Sequence, residues 1–446
     1  MWKSAISNIM LAVCVGIAFF LTGCGRQSGE IKENVVTLTL GTFGNNREVR
    51  QQVELFNEKH EDYQIEIREY ERYETEDGGG IERLQREIVS GNGPDIIDFG
   101  YGYSVTDILG KYTEDLFPYF EKMSVQGENN YFTNILQAFA YEDGLYAMPV
   151  SFRLKTFAVR SSLIGERESW NIEELMNYYG TARNQASGSL MLYPGETKKD
   201  VFGTFIMGSV ENYVDWEQGT CSFHGEDFKT LMEFANQFPD TLQITEDFSP
   251  MGSFAAGEAL LYPESLSSIY DIGKAERVLG EPVTHIGYPV TGSDGTIIHA
   301  SDIMLAINST SEHKDIAWEF ITQFLEEDFQ STINEGFPIN KTALEKQLQQ
   351  GMQTEYTENA DGSRTPIAKS EIIFEGEEPI KIYQITQKEA DTLLNLLERA
   401  SVSSAYDSRL HIILLEEVDS YFAGDKTLDE AAEIMQGRAQ MYVGEI

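Results

Sequence analysis

The stretch VVTLTLG (residues 35–41) is a continuous run of β-branched and aliphatic residues that stops at a glycine. Such a run is typical of a strand buried in a parallel sheet. Apolar side chains then recur at helical spacing over residues 49–56, and a period-two strand follows over 63–67. A second helical pattern at 81–88 leads to a short apolar strand at 96–99. This alternation of strands and helices predicts right-handed crossovers in a parallel sheet, and hence an α/β fold.

The rest of the chain continues the pattern and ends in helices. Apolar runs at 286–290 and 303–307 predict further strands at sheet centres, and residues 316–324 predict an amphipathic helix. The sequence is almost wholly helical in type from residue 393 onward. There the capping box Thr427-Leu428-Asp429-Glu430 predicts the start of the last helix.

The first residues have the features of a lipoprotein signal. The uncharged run 9–20 is about a dozen residues long, too short for the roughly 20 that a membrane-spanning helix needs. It ends in the lipobox Leu21-Thr22-Gly23-Cys24. We therefore predict a signal peptide at 1–23, diacylglyceryl and palmitate modification of Cys24, and a polar tether over 24–34. The protein would then be lipid-anchored on the extracytoplasmic face of the cell membrane. An ordinary secretory signal with a coincidental cysteine is the alternative.

The composition is that of an acidic globular protein. The 73 acidic and 33 basic residues give a formal net charge of −40, which disfavours nucleic acid as a partner. The chain has 446 residues, 41% of them hydrophobic, which is enough for two domains with cores of their own. Cys14 leaves with the signal peptide and Cys24 would be lipidated, so Cys221 has no partner for an intramolecular disulfide.

Short motifs recur in a set order along nearly the whole mature chain. They are the lipobox, Phe56-Asn57-Glu58-Lys59-His60, Gly91-Asn92-Gly93-Pro94-Asp95-Ile96, Tyr146-Ala147-Met148-Pro149, Phe254-Ala255-Ala256-Gly257-Glu258-Ala259, Gly287-Tyr288-Pro289 and Gly336-Phe337-Pro338-Ile339. In this order and spacing the chain resembles the extracellular solute-binding lipoproteins (family 1) of bacterial ABC importers, which mostly carry sugars.

The resemblance implies a two-lobed, type II periplasmic-binding-protein fold with parallel-rich sheets flanked by helices and a helical C-terminus. Lobe 1 would hold residues 35–147 with 303–344, and lobe 2 would hold 148–302 with 345–446. A monomer would bind a sugar or oligosaccharide between the lobes, close over it, and present the closed form to the permease subunits.

Ligands of open α/β sheets bind beyond the carboxyl ends of strands. This rule selects the loops at 42–46 and 100–103, and the resemblance adds 151–153, just past the first expected crossing between lobes. Aromatic rings can cover the apolar faces of a sugar, while charged and amide groups can bind its hydroxyls. The candidate ligand-binding residues are Phe43, Asn45, Tyr101, Tyr103, Phe152, Arg153, Trp216, Tyr262, Glu264, Tyr288 and Asp302.

No catalytic signature is found in the sequence. It lacks a G-x-S-x-G elbow, an H-E-x-x-H motif, a Walker loop and G-x-G-x-x-G, and its six histidines show no metal spacing. We therefore predict a binding protein with no catalytic residues and no cofactor or metal. Two alternatives stay open: an extracellular glycan hydrolase whose carboxylate dyad is defined by distance rather than sequence spacing, and a peptide-binding surface protein.

Overall fold

The computed structural model describes residues 35–445. The exceptions within this range are 45, 72–78, 101–109, 125–129, 142–143, 187–189, 217, 243–247, 291–292, 301, 375–377 and 404–407. The predicted signal peptide, Cys24 and the tether therefore lie outside the described residues, as do Asn45, Tyr101 and Tyr103. Among the described residues, no helix combines the length and apolar character needed to span a bilayer.

Strands and helices alternate through the first half of the chain, and helices dominate its end. The strands are β1 (Val36–Phe43), β2 (Tyr63–Tyr70), β3 (Ile96–Asp98), β4 (Met148–Pro149), β5 (Ser151–Arg160), β6 (Val214–Asp215), β7 (Thr220–Cys221), β8 (Leu261–Leu266), β9 (Val283–Ile286), β10 (Ile297–Ala300), β11 (Met304–Ile307), β12 (Phe337–Pro338), β13 (Tyr356–Glu358), β14 (Arg364–Pro366), β15 (Ser370–Ile372), β16 (Ile380–Ile382) and β17 (Val402–Ser403). The helices are α1 (Arg47–Lys59), α2 (Gly80–Val89), α3 (Phe117–Ser124), α4 (Thr133–Ala138), α5 (Ser161–Ile164), α6 (Ile172–Gln185), α7 (Lys198–Ser209), α8 (Glu226–Ala235), α9 (Pro250–Ala255), α10 (Lys274–Leu279), α11 (Lys314–Gln323), α12 (Glu327–Gln330), α13 (Lys341–Gly351), α14 (Gln387–Arg399), α15 (Ser408–Phe422) and α16 (Leu428–Val443), with a 3-10 turn at Val210–Asn212.

The first sheet has the strand order β2-β1-β3-β11-β4. Strand β1 pairs in parallel with β2 and β3, and α1 and α2 join these strands, which confirms the predicted parallel arrangement. Gly91 ends the segment after α2 with φ +75°, as expected for a left-handed cap. Strand β11 then runs antiparallel to both β3 and β4. As a result β1, β3 and β4 end, and β11 begins, at the same edge of the sheet.

The second sheet is organised around β5, which pairs antiparallel with β8, β9, β10 and β12. Only β10 and β17 pair in parallel among its described strands. The expectation of parallel-rich sheets is therefore correct for the first sheet and wrong for the second. Apolar runs reveal that a strand is buried but not the direction of its neighbours, and this is why sequence reasoning missed the antiparallel centre.

Two large clusters of buried apolar side chains form the core. The first cluster includes Phe152 and Leu154, together with buried residues of β1, β11 and α11. The second includes Phe157 and Val159, with residues of α7, α8, α15 and α16. Strand β5 contributes to both clusters because successive side chains of a strand point to opposite faces.

The described part of residues 345–446 packs into both clusters. Residues 345–446 were expected to lie with lobe 2, and α15 and α16 do pack into the second cluster. Helix α14, by contrast, places Leu393, Leu396 and Leu397 in the first cluster. The reason is that its apolar face meets α4 of the first lobe, where Asn134 Nδ2 donates to the Leu397 carbonyl at 2.8 Å.

A fully buried amide ties together the segments that pass between the sheets. Gln330 Nε2 donates to the carbonyl of Val150, between β4 and β5, at 2.8 Å and to that of Phe324 at 2.7 Å. Its Oε1 accepts the backbone N–H of Asn340 at 3.0 Å. One side chain thus satisfies three backbone groups. These groups would have no other hydrogen-bond partner in an apolar core.

We expect Gln330→Met to lower the free energy of unfolding by about 3 kcal/mol, because it leaves two carbonyls and one N–H without partners. Urea unfolding measures this loss, and Gln349→Met, on the exposed side of α13, serves as the control. If both variants lie within about 0.5 kcal/mol of the parent, the amide does not hold the crossings.

Candidate functional site

Asp98 is the last residue of β3. It lies at the edge of the first sheet from which short segments of the chain, called the crossings below, lead to the second sheet. Its Oδ1 accepts the backbone N–H groups of Gly100 at 3.0 Å and Met304 at 3.2 Å, and Oδ2 accepts the Thr42 hydroxyl at 3.2 Å. Burial raises the pKa of Asp98 to about 6, with the nearby Asp302 charge adding to the rise and these hydrogen bonds opposing it. The carboxylate therefore fixes the ends of β1 and β3 and the start of β11.

Gly100 allows a close approach between the segment after β3 and the segment before β11. A Cβ at this position would lie 2.0 Å from the Asp302 carbonyl oxygen. No larger residue fits without moving the backbone of one of the two segments. Asp302 is thereby held next to the carboxyl edge of the first sheet, although the chain has just left β10 of the second sheet.

Arg153 lies on β5 of the second sheet and contacts acidic residues on two segments that join the sheets. Its Nη2 lies 3.0 Å from Glu335 Oε1 and 3.7 Å from Asp302 Oδ1. The Arg153 side chain is only 26% exposed, and its Nε is buried with no hydrogen-bond partner among the described residues. The guanidinium is therefore anchored through one nitrogen and keeps a donor for another acceptor.

Two further basic side chains lie on the same sheet face as Arg153. His299 is directly opposite Arg153 on β10, and Lys155 is two residues along β5. Burial lowers the pKa of Lys155. Burial also lowers the pKa of His299, helped by the charges of Lys155 and Arg153, so the imidazole is neutral at pH 7. Arg153, Lys155 and His299 are called the basic cluster below.

Several predicted aromatic contacts are core residues instead. Phe43 is buried against Tyr70, with a ring distance of 5.8 Å. Phe152 is fully buried and packs 5.9 Å from Phe337. Tyr288 is buried and packs 4.7 Å from Phe157 in the second cluster. Phe43 and Phe152 are buried strand residues and Tyr288 follows β9 in the second cluster, so burial favours packing roles for all three rings.

Tyr262 and Glu264 lie on the opposite face of the second sheet from the basic cluster. Glu264 Oε2 contacts His285 Nδ1 at 2.7 Å, and both side chains are almost fully buried. Tyr262 stacks on Phe254 with a ring distance of 5.6 Å. Pairing and packing account for both residues, which argues against their predicted contact with ligand.

Trp216 also lies apart from this edge. It follows β6 in the β6–β7 hairpin, where its carbonyl accepts the Gly219 N–H at 3.3 Å, and it is 37% exposed. Of the described candidates, the structure thus brings only Arg153 and Asp302 together. Asn45, Tyr101 and Tyr103 stay predictions, since they fall outside the described residues.

Sequence reasoning missed Asp98, Lys155, His299 and Glu335. Asp98 was detectable, because it is the charged residue within the apolar strand at 96–99 and lies two residues before the selected loop at 100–103. Lys155 could have been derived from Arg153 by the period of two once β5 was recognised as a strand. His299 and Glu335 are far away in sequence and reach the site only through strand pairing, so no local signal points to them.

The raised pKa of Asp98 predicts how the free energy of unfolding depends on pH. Between about pH 4 and 6 the folded state keeps a proton that the unfolded state releases, so Asp98 makes stability fall as pH rises. Asp98→Asn keeps the shape and removes this effect. We expect its free energy of unfolding, relative to the parent, to rise by up to about 3 kcal/mol across that window in urea titrations.

Asp361→Asn is the matched control for this titration. Asp361 is exposed, and hydrogen bonds from Ser363 hold its pKa below the usual range, so its effect has the opposite sign and appears at lower pH. If Asp98→Asn follows the parent at every pH, the Asp98 carboxyl titrates normally in the folded state.

Comparison with known proteins places this architecture. Similar solved structures include the sugar-binding protein MalE from Xanthomonas citri (14% identity, TM-score 0.54, covering 92% of this chain and 98% of that one). A periplasmic oligogalacturonide-binding protein from Yersinia enterocolitica is similar as well (16% identity, TM-score 0.58, covering 92% of this chain and 99% of that one). A cyclic alpha-maltosyl-1,6-maltose-binding protein from Arthrobacter globiformis is also similar (11% identity, TM-score 0.54, covering 92% of this chain and 100% of that one). At these identities the likeness shows the two-lobed periplasmic-binding-protein fold, which confirms the predicted fold class.

The family follows from the sequence itself. No curated protein matches the chain. Residues 51–354 match the family model described as bacterial extracellular solute-binding protein, which covers more than half of the chain. At the level of the family the resemblance inferred from the motifs is confirmed: the chain belongs to the bacterial extracellular solute-binding proteins.

Proposed function

We propose that this protein captures a sugar or oligosaccharide between its two lobes and delivers it to the permease of an ABC importer. The observation that carries the proposal is the meeting of the first sheet's carboxyl edge with the crossings at Asp98, Asp302 and Arg153. Polar groups converge there at the point where two lobes can pivot. This is the position expected for a ligand of open α/β sheets.

The chemistry at this edge suits a polyhydroxylated solute. The Arg153 side chain is 26% exposed and that of Asp302 is 40% exposed, so a donor and an acceptor group lie 3.7 Å apart on partly exposed side chains. Charged groups bind hydroxyls about twice as strongly as neutral ones do. Three of the similar structures carry names of sugar or oligosaccharide binders, which supports the same solute class.

Delivery to a permease requires the closed form to differ from the open form. The segments at Val150 and at Asp302 link the sheets, so rotation there would move one lobe against the other. A ligand shifts this equilibrium only by its preference for the closed state. The lobe boundaries 35–147 with 303–344, and 148–302 with 345–446, belong to this proposal, with the rest of α13 and α14 moved to lobe 1 because both helices pack into the first cluster.

The lipid anchor at Cys24 completes the proposed function. The lipobox supports it, and the family's extracellular location is consistent with a tether on the outer face of the membrane. A single acyl chain binds a bilayer only marginally, so the several chains of a lipoprotein are what would keep the binder near its permease.

We expect a sugar or oligosaccharide to stabilise the protein purified in detergent, because ligand at about 100 times Kd adds about 2.7 kcal/mol to the free energy of unfolding. Intrinsic tryptophan fluorescence during heating measures this shift. Arg153→Met should abolish it, whereas Arg364→Met in the exposed β13–β14 hairpin should not. A panel of mono- and oligosaccharides that leaves the melting temperature unchanged would contradict the sugar assignment.

We expect Cys24→Ala to release the protein from the membrane without changing its melting temperature, since Cys24 precedes β1, the first described strand. Fractionation of cells, with immunoblotting of membrane and soluble fractions, tests this. Cys221→Ala is the matched control and should stay with the membrane. Retention of both variants would show that Cys24 is not the anchor.

A further inference from the structure

The basic cluster stands out in a protein of net charge −40. Arg153 and His299 form a directly opposed pair on β5 and β10, and Lys155 is the diagonal neighbour of His299. Side chains in these relations lie on one face of a sheet within reach of each other. The effect of Lys155 and Arg153 on the pKa of His299 reflects the same proximity. Two basic side chains, those of Arg153 and Lys155, therefore share one small area.

Lys155 differs from other partly buried lysines of the chain. Lys198, Lys229 and Lys426 are 12%, 17% and 29% exposed, and each lies within 2.6 Å of a carboxylate. The Lys155 ammonium has no ion pair or hydrogen bond with any described residue, although burial lowers its pKa. A charge removed from water without a partner costs free energy, so this position is not explained by stability.

The strand register keeps carboxylates away from Lys155. On β8, Ser265 is directly opposite Lys155, while the carboxylate of Glu264 is opposite Thr156 and points to the other face. Ser265 is exposed, so the area beside Lys155 is open to solvent. The sequence contains 73 acidic residues, yet the neighbour on this side is neutral and small. The ammonium is thus left available to a solute.

The basic cluster lies on the face of the second sheet that carries Arg153, where the proposed function places the ligand. Further along the same face of β5, Phe157 and Val159 enter the second core cluster. Toward the crossings, Arg153 meets Asp302 at the edge of the first sheet. Lys155 is between these two points. A molecule held between the lobes beside Arg153 would therefore come within reach of the Lys155 ammonium.

We propose that Lys155, beside the partly exposed guanidinium of Arg153, binds an anionic group of the sugar, a carboxylate or a phosphate. The inference rests on the proposed function and narrows it to acidic saccharides. Glu335 and Asp302 hold the guanidinium in place through Nη2, and the unpaired charge of Lys155 is the one the ligand neutralises. Hydrogen bonds between two charged groups are the strong ones in such sites.

The experiment compares matched acidic and neutral ligands on the full chain in detergent by isothermal titration. The first pair is trigalacturonic acid and its methyl ester, and the second is glucose 6-phosphate and glucose. We expect the acidic member of one pair to bind about 10- to 100-fold more tightly than its neutral partner, as a lost hydrogen bond to a charged group predicts. Which pair discriminates identifies the carboxylate or the phosphate.

Variants assign the effect to Lys155. Lys155→Met should lose about 10- to 100-fold in affinity for the acidic ligand and less than about 2-fold for the neutral one. Lys155→Arg should retain most of the discrimination. Lys381→Met, on an exposed strand, is the control. The melting temperature of ligand-free Lys155→Met should equal or exceed that of the parent, because no pairing is lost; a large fall would mean a structural role and would overturn the proposal.

The remaining outcomes separate this inference from the proposed function. Equal affinity for the acidic and neutral members of both pairs would overturn the acidic subsite and leave sugar binding intact. Equal losses for both ligands in Lys155→Met would do the same, since the residue would then contact the sugar without selecting its charge. If neither the pairs nor a wider saccharide panel binds, the proposed function fails and the inference fails with it.

Discussion

Strand β5 (Ser151–Arg160) is the element on which the rest of the molecule depends. Along both of its edges it forms antiparallel hydrogen bonds with other strands. These strands, β8, β9, β10 and β12, come from distant parts of the chain. Its backbone groups can be satisfied only if those segments have all reached it. The strand also follows β4 after one residue, Val150, so the first sheet is fixed to the second at its carboxyl edge.

The alternation of β5 determines which residues can meet a ligand. Phe152 and Leu154 point into the first core cluster, while Arg153 and Lys155 point to the other face. That face becomes core at Phe157, where the helices of the second lobe cover it. The boundary between buried core and open surface therefore lies within one strand. A shift of one residue in register would exchange the buried rings and the charges, so the same constraint protects both the core and the candidate site.

The order of elements was predictable from the sequence because its signals are local. The run at 35–41, the helical spacing at 49–56 and the capping box at Thr427 each depend on neighbours a few residues away, and all three match the structure. The site was less predictable. Phe152 and Arg153 are adjacent, and only pairing with β10 and β12 decides which of them is buried. Pairing partners more than a hundred residues away leave no local pattern.

In the proposed function, the position of Arg153 would couple ligand binding to movement between the lobes. The guanidinium belongs to the second sheet, while Asp302 lies in the crossing that leads into the first sheet. Rotation about the crossings must change the distance between these groups, which is 3.7 Å here. In the proposed function, a ligand beside Arg153 would act at the pivot, and its free energy of binding would depend on the closure angle. Only such a dependence lets a solute select the closed form, since a contact of equal strength in both forms would leave their ratio unchanged.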